Sequence, residues 1–161
     1  MKSRRTFFQT AFLGTSLLFI SGKEVFAYAT PLQTLELVQV DLFPQDMIQN
    51  ANAFAYLSVV LNHSLVSQDD KQFLRNGTRW LNEEAVKEYK EVYTKLNKHQ
   101  RQNILKIIAQ ESWGRSWIKT VLTYIMEATL GDPIYGINKN ETGWKWLNHE
   151  PGLPRTKKAL L

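Results

Sequence analysis

The run "SWIKTVLTYIMEATL", residues 116–130, decides the fold. Trp117, Ile118, Val121, Leu122, Tyr124, Ile125 and Met126 cover most of a helical circumference, and Lys119, Thr120, Thr123 and Glu127 form one narrow polar strip. A helix this widely apolar is either the central helix of a small bundle or one that keeps a face for a partner. Gly131 is a natural residue to follow its last turn, and Asp132-Pro133 prevents it from continuing.

The chain upstream of this run also has a helical period. Asn97 supplies an N-cap for a helix carrying Ile104, Leu105, Ile107 and Ile108. From about Trp80 to Leu96, Leu81, Ala85, Tyr89, Val92, Tyr93 and Leu96 recur at helical spacing, with Glu83, Glu84, Lys87, Lys90 and Glu91 toward water. Ser67 and Asp70 have a capping-box-like spacing that opens a short helix, and Asn76-Gly77 closes it. Asp46 to about Val66 reads as one helix, apolar around most of its surface. Residues 31–43, "PLQTLELVQVDLF", fit either partial strand alternation or a first helical segment, and Pro44 closes them. The expectation is all-α: a small helical bundle forming one domain over residues 30–161.

Downstream, residues 131–161 read as a long irregular arm. Ile134, Tyr135, Trp144, Trp146 and Leu147 are too apolar to be left in water, so the arm must dock somewhere. Gly131, Gly136 and Gly143 allow tight backbone approach, while Asn138 and Asn140 suit turns. Trp144 and Trp146 would point to the same side of an extended segment. Two readings stay open: an aromatic arm used as a protein interface, or an arm packed on its own bundle.

The N-terminus has the order of an export signal. Lys2, Arg4 and Arg5 precede the apolar run 11–20, and small residues follow at Ala27 and Ala29, which places cleavage before Thr30. Within "SRRTFFQ", residues 3–9, Ser3, Arg4, Arg5, Phe7 and Phe8 follow the twin-arginine pattern, with Gln9 where lysine is usual. The apolar run is well short of the roughly 20 residues that span a bilayer, so no transmembrane helix is expected, and the location indicated is the periplasm. Residues 1–29 hold four of the 20 basic and one of the 15 acidic side chains, so the rest of the chain carries a net charge of only +2. Nucleic-acid binding, which needs a clustered basic face, is not indicated. Arg155, Lys157 and Lys158 read as a solvated end.

Chemistry-bearing patterns are missing. The absence of cysteine excludes disulfides, covalent haem attachment, iron–sulfur ligation and thiol catalysis. His63, His99 and His149 lack the spacing of helical metal ligands. Asp69-Asp70 and Glu83-Glu84 lie near expected helix N-termini, where the helix dipole favours negative charge. No phosphate-binding glycine loop and no G-x-S-x-G elbow occur. The expectation is no catalytic, cofactor-binding or metal-binding residue in this chain. The twin-arginine route exports folded proteins, often ones that hold a cofactor, so the signal points to a cofactor carried by another chain.

A resemblance carries that further. The helix ending in "TLGDPIYG", the asparagine after it, "GWKWL", and the preceding "QRQNILKII" resemble subunit 3, the small subunit, of gluconate 2-dehydrogenase and related exported sugar dehydrogenases, from about Trp80 through Gly152. The family pattern D-P-x-Y-G-G-N followed by G-W is matched by Asp132, Pro133, Tyr135, Gly136, Asn138, Gly143 and Trp144. Ile137 stands in place of the second glycine, and "NHEPG", residues 148–152, replaces a glycine-containing stretch. The resemblance implies a non-catalytic accessory subunit. Its partners would be a flavoprotein large subunit holding FAD, a possible cytochrome c subunit holding haem c, and the twin-arginine translocase. The arm residues Asp132, Pro133, Tyr135, Gly136, Asn138, Gly143, Trp144 and Trp146 are the expected partner interface. The alternative is a free-standing periplasmic helical protein with a binding or chaperone-like role.

Overall fold

The computed structural model describes residues 30–155 and 157–159, so the expectations for Arg4, Arg5, Phe7, Ala27 and Ala29 fall outside the described residues. Seven α-helices and no strand occur among those described. In chain order they are α1 (Pro31–Leu42), α2 (Gln45–Ala51), α3 (Ala53–Asn62), α4 (Gln68–Tyr89), α5 (Lys98–Ile108), α6 (Ser112–Leu130) and α7 (Thr142–Trp146). Helix α6 is the axis and touches each of the other six. Trp117, Val121, Ile125 and Ala128 on its surface are buried, and the core gathers around them.

Residues 31–43 form a helix rather than a strand. Thr30 and Gln33 make a reciprocal capping box, with Gln33 N–H donating to Thr30 Oγ1 at 3.3 Å and Thr30 N–H to Gln33 Oε1 at 3.0 Å. Pro31 at the first helical position has no N–H to leave unpaired. The buried positions Thr34, Leu35, Val38 and Gln39 have helical spacing, which the partial alternation of Leu35, Leu37, Val40 and Leu42 obscures. Gln39 is buried although neither side-chain polar atom meets a partner among the described residues, and the Thr34 hydroxyl shares that state.

The single helix expected from Asp46 to Val66 is two helices. Asn52 takes a left-handed conformation (φ 59°) and breaks the run, and the chain leaves α3 at His63. Asparagine tolerates that region better than most residues. The break also presents the Ala51 carbonyl to a donor from the C-terminal arm, the Asn138 N–H at 3.2 Å.

Conversely, the expected stop at Asn76-Gly77 does not occur. Ser67 caps α4 as anticipated, accepting from Asp70 N–H at 3.0 Å, but the helix then runs unbroken to Tyr89. Gly77 lies against the indole of Trp117 on α6, and a Cβ at this position would overlap the ring. The glycine here serves helix–helix approach, not termination. Helix α4 ends seven residues before the anticipated Leu96, at a left-handed Lys90. Buried Asn82 then holds the departing chain, accepting from Tyr93 N–H at 2.9 Å while donating to Thr78 O at 2.9 Å. The Asn97 cap of α5 stands as expected, with Gln100 completing a capping box.

One buried polar cluster ties the end of α1 to the start of α5. Arg101 of α5 donates to Asp41 of α1 through Nε (2.6 Å to Oδ2) and Nη2 (3.0 Å to Oδ1). Tyr93 O–H donates to the same carboxylate at 2.8 Å, and Gln102 Nε2 donates to the Asp41 carbonyl at 2.7 Å. Burial, followed by the Asp41 charge, drives the Tyr93 pKa far above the ordinary tyrosine value. Tyr56, which donates to Glu127 Oε2 at 2.8 Å, is pushed up to about 12 by burial and then by that carboxylate.

A raised pKa means that the folded state holds the proton while an unfolded tyrosine loses it near pH ~10. The stabilisation is complete below pH ~10 and is lost as pH rises toward the folded values. Stability is therefore expected to fall above pH ~10, with Tyr93 contributing up to about 1.4 kcal/mol per pH unit. Urea titrations from pH 9 to 11.5 should show a shallower decline in Tyr93→Phe; identical slopes in the two proteins would remove Tyr93 from the explanation.

Candidate partner interface

The segment after α6 is not the long irregular arm expected. It holds single 3-10 turns at Pro133–Tyr135 and Lys139–Glu141, followed by α7. Left-handed residues at Gly136, Asn138, Asn140 and Glu141 join these pieces. Each piece is too short to show a period, so only turn residues marked them in the sequence.

The arm's first task is to finish α6. A helix leaves its last carbonyls without intrahelical donors, and here the arm supplies them. Asn138 N–H donates to Ala128 O at 3.0 Å as well as to Ala51 O. Asn138 Nδ2 donates to Gly131 O at 3.0 Å, and Trp144 Nε1 donates to Leu130 O at 2.6 Å. The Asn138 side-chain oxygen in turn accepts from Gly143 N–H at 2.8 Å. Asn138 is wholly buried with both ends of its amide satisfied, which makes it the knot that ties α2, α6 and α7 together.

The neighbouring motif residues follow from that knot. Asp132 caps the first turn by accepting from Ile134 N–H at 3.0 Å, Pro133 opens it, and Gly136 closes it at φ 77°. Gly143 lies so close to the α6 backbone that a Cβ would collide with the Thr129 carbonyl. Ile137, at the place of the family's second glycine, is buried against Gly131 and belongs to the core.

Arg155 closes the arm over Trp144. Its guanidinium stands 4.7 Å from the indole centroid and bonds Glu141 at 2.6 Å and Asp132 at 3.2 Å. The Glu141 bond is the largest cause of its raised pKa. Arg155 is therefore not part of the solvated end expected of it with Lys157 and Lys158; its partners lie 14 and 23 positions away, beyond the reach of any local pattern.

The expected interface residues therefore separate by burial. Asn138, Gly143 and Trp144 are inside the chain's own packing, and Asp132 and Pro133 are half-buried beside them. Tyr135 is 39% exposed, Trp146 51% and Leu147 49%. Trp144 and Trp146 do not share a side: they stand on one helical turn, about 200° apart, so one enters the core as the other leaves it. Trp146 meets Phe43 edge-on at 5.8 Å, which links the arm to the end of α1.

Among the described residues no group of three or more His, Asp or Glu side chains is placed to hold a metal ion, and no helix is long and apolar enough to cross a membrane. The molecule is an all-α bundle whose C-terminal arm caps its central helix and leaves aromatic side chains in solvent. The chain belongs to the gluconate 2-dehydrogenase subunit 3 family, whose profile matches residues 31–152. The match takes in α1 to α3 as well as the part from Trp80 that carries the resemblance in the sequence. Membership makes it an accessory subunit associated with a dehydrogenase complex. No curated protein and no solved structure matches the chain.

Proposed function

We propose that this chain is the non-catalytic small subunit of a periplasmic, FAD-dependent dehydrogenase. In this reading it binds the flavoprotein large subunit in the cytoplasm, stabilises it and carries it through the twin-arginine route. The flavin resides in the large subunit, and a cytochrome c subunit is a further candidate member of the complex.

The observation that carries the proposal is the division of the arm. Its buried half completes the chain's own central helix, while Tyr135, Trp146 and Leu147 remain at the surface of a family whose members serve a dehydrogenase. Exposed, rigidly based aromatics are the usual anchors of protein interfaces.

Replacing Arg4 and Arg5 by lysine is expected to leave the dehydrogenase activity in the cytoplasmic fraction, with the periplasmic activity of the wild type lost. Normal periplasmic activity of the large subunit in that variant would refute the escort role.

A further inference from the structure

Arg155 lies beyond residues 31–152, the stretch that matches the family profile, yet its guanidinium touches both ends of the segment that carries Tyr135. Nη2 donates to Asp132 Oδ1, the atom that also caps the turn Pro133–Tyr135, and Nη1 donates to Glu141 Oε1, just before α7. The same group lies over the Trp144 indole, which also meets His149 at 5.9 Å between ring centroids. One side chain thus spans Asp132, Glu141 and α7.

The segment it spans needs an outside hold. Asn140 and Glu141 are successive left-handed residues, at φ 54° and 59°. Asparagine tolerates that region, whereas the Cβ of a glutamate makes it costly. Such a conformation persists only where its surroundings fix it. Here the Glu141 N–H donates to Asn138 O at 2.9 Å, and the Glu141 carboxylate is held by Arg155. An isolated surface ion pair contributes little, because two flexible side chains must be ordered for one contact. Arg155, once ordered, serves two carboxylates and an aromatic face, so its further contacts cost little additional freedom.

We propose that Arg155 is the positioning residue of the partner surface: by clasping Asp132 and Glu141 across Trp144 it sets Tyr135 and Trp146 in the exposed arrangement that the dehydrogenase partner meets. The inference rests on the accessory-subunit reading and adds the residue that prepares its interface. A surface fixed before association loses less freedom on binding and so binds more tightly. All three charged side chains of the clasp are partly exposed, so salt should loosen it.

The test compares the full chain with Arg155→Ala and Arg155→Lys, both alone and in the native complex, purified through a tag on this chain and followed by its bound flavin. In the chain alone, amide exchange over residues 132–147 should quicken about ten-fold or more in Arg155→Ala, while exchange in α4 and α5 stays as in the wild type. The complex should weaken about ten-fold or more. Arg155→Lys should fall between the two, since an ammonium keeps the charge but not the planar fork. Arg155→Ala should also cost less affinity in a Tyr135→Ala background than in the wild type, because the two residues act through one surface. Additive losses would mean that Arg155 acts on the partner independently of Tyr135. Unchanged exchange over residues 132–147 would mean that the arm holds its shape without the clasp, and equal quickening in α4 and α5 would make Arg155 a residue of general stability. Each of these results, like unchanged affinity in Arg155→Ala, overturns the proposal while leaving the accessory role standing. Failure of the wild-type chain to hold any flavoprotein overturns both.

Discussion

Asp41→Ala is expected to destabilise the isolated chain by about 3–5 kcal/mol, the range for removing one partner of a buried ion pair. The Asp41 side chain is 1% exposed and that of Arg101 15%, so water cannot replace the lost carboxylate easily. The change leaves a guanidinium with no counter-charge and a tyrosine hydroxyl without its acceptor. A domain of this size has a total stability of about 5–15 kcal/mol, so the variant should be largely unfolded in mild urea. Asp41→Asn keeps an acceptor and should lose less. The double variant Asp41→Ala, Arg101→Ala should lose less than the sum of its singles, since it leaves no unpaired charge. A loss below about 1 kcal/mol in Asp41→Ala, read from urea midpoints, would show that the cluster is dispensable.

The second large effect concerns the contact between α4 and α6. Trp117 is wholly buried, and its indole N–H donates to Leu74 O at 3.1 Å. Trp117→Ala is expected to cost about 3–5 kcal/mol through lost burial and the cavity left behind. Gly77→Ala provides the sharper test, because its sign is informative. In an exposed helix interior this change would stabilise by about 1 kcal/mol. Here the added Cβ enters the indole, so a loss of about 1–3 kcal/mol is expected instead. With both substitutions present the methyl occupies vacated space, and the combined loss should fall short of the sum. Additive losses would mean that the two residues do not share this contact.

Much of this architecture can be read in the residues. The breadth of the apolar surface on residues 116–130 places α6 at the centre, and α6 does touch every other helix. The caps at Ser67 and Asn97 also stand where local side-chain chemistry puts them. A capping box was equally present at Thr30 and Gln33, but partial alternation in "LELVQV" competed with it. Local pattern and structure diverge at residues with two possible uses. Asn76-Gly77 looks like a helix stop, yet Gly77 is small because an indole lies against it. Asn52 looks like an ordinary polar position, yet its left-handed turn frees the Ala51 carbonyl for Asn138.

The arm shows the same limit at the site. Its turn residues, aromatics and family pattern were legible, but their division between core and surface was not. By itself the sequence determined the all-α class, the central helix and the residue types of the C-terminal motif, because these depend on periodicity and local chemistry within a few positions. Only the tertiary structure decided that Asn138, Gly143 and Trp144 cap α6 from within while Tyr135 and Trp146 face solvent. The physical reason is distance along the chain. The free carbonyls of α6, the break at Asn52 and the guanidinium of Arg155 come together only once the bundle has closed, and no local pattern records which side of a one-turn helix will meet them.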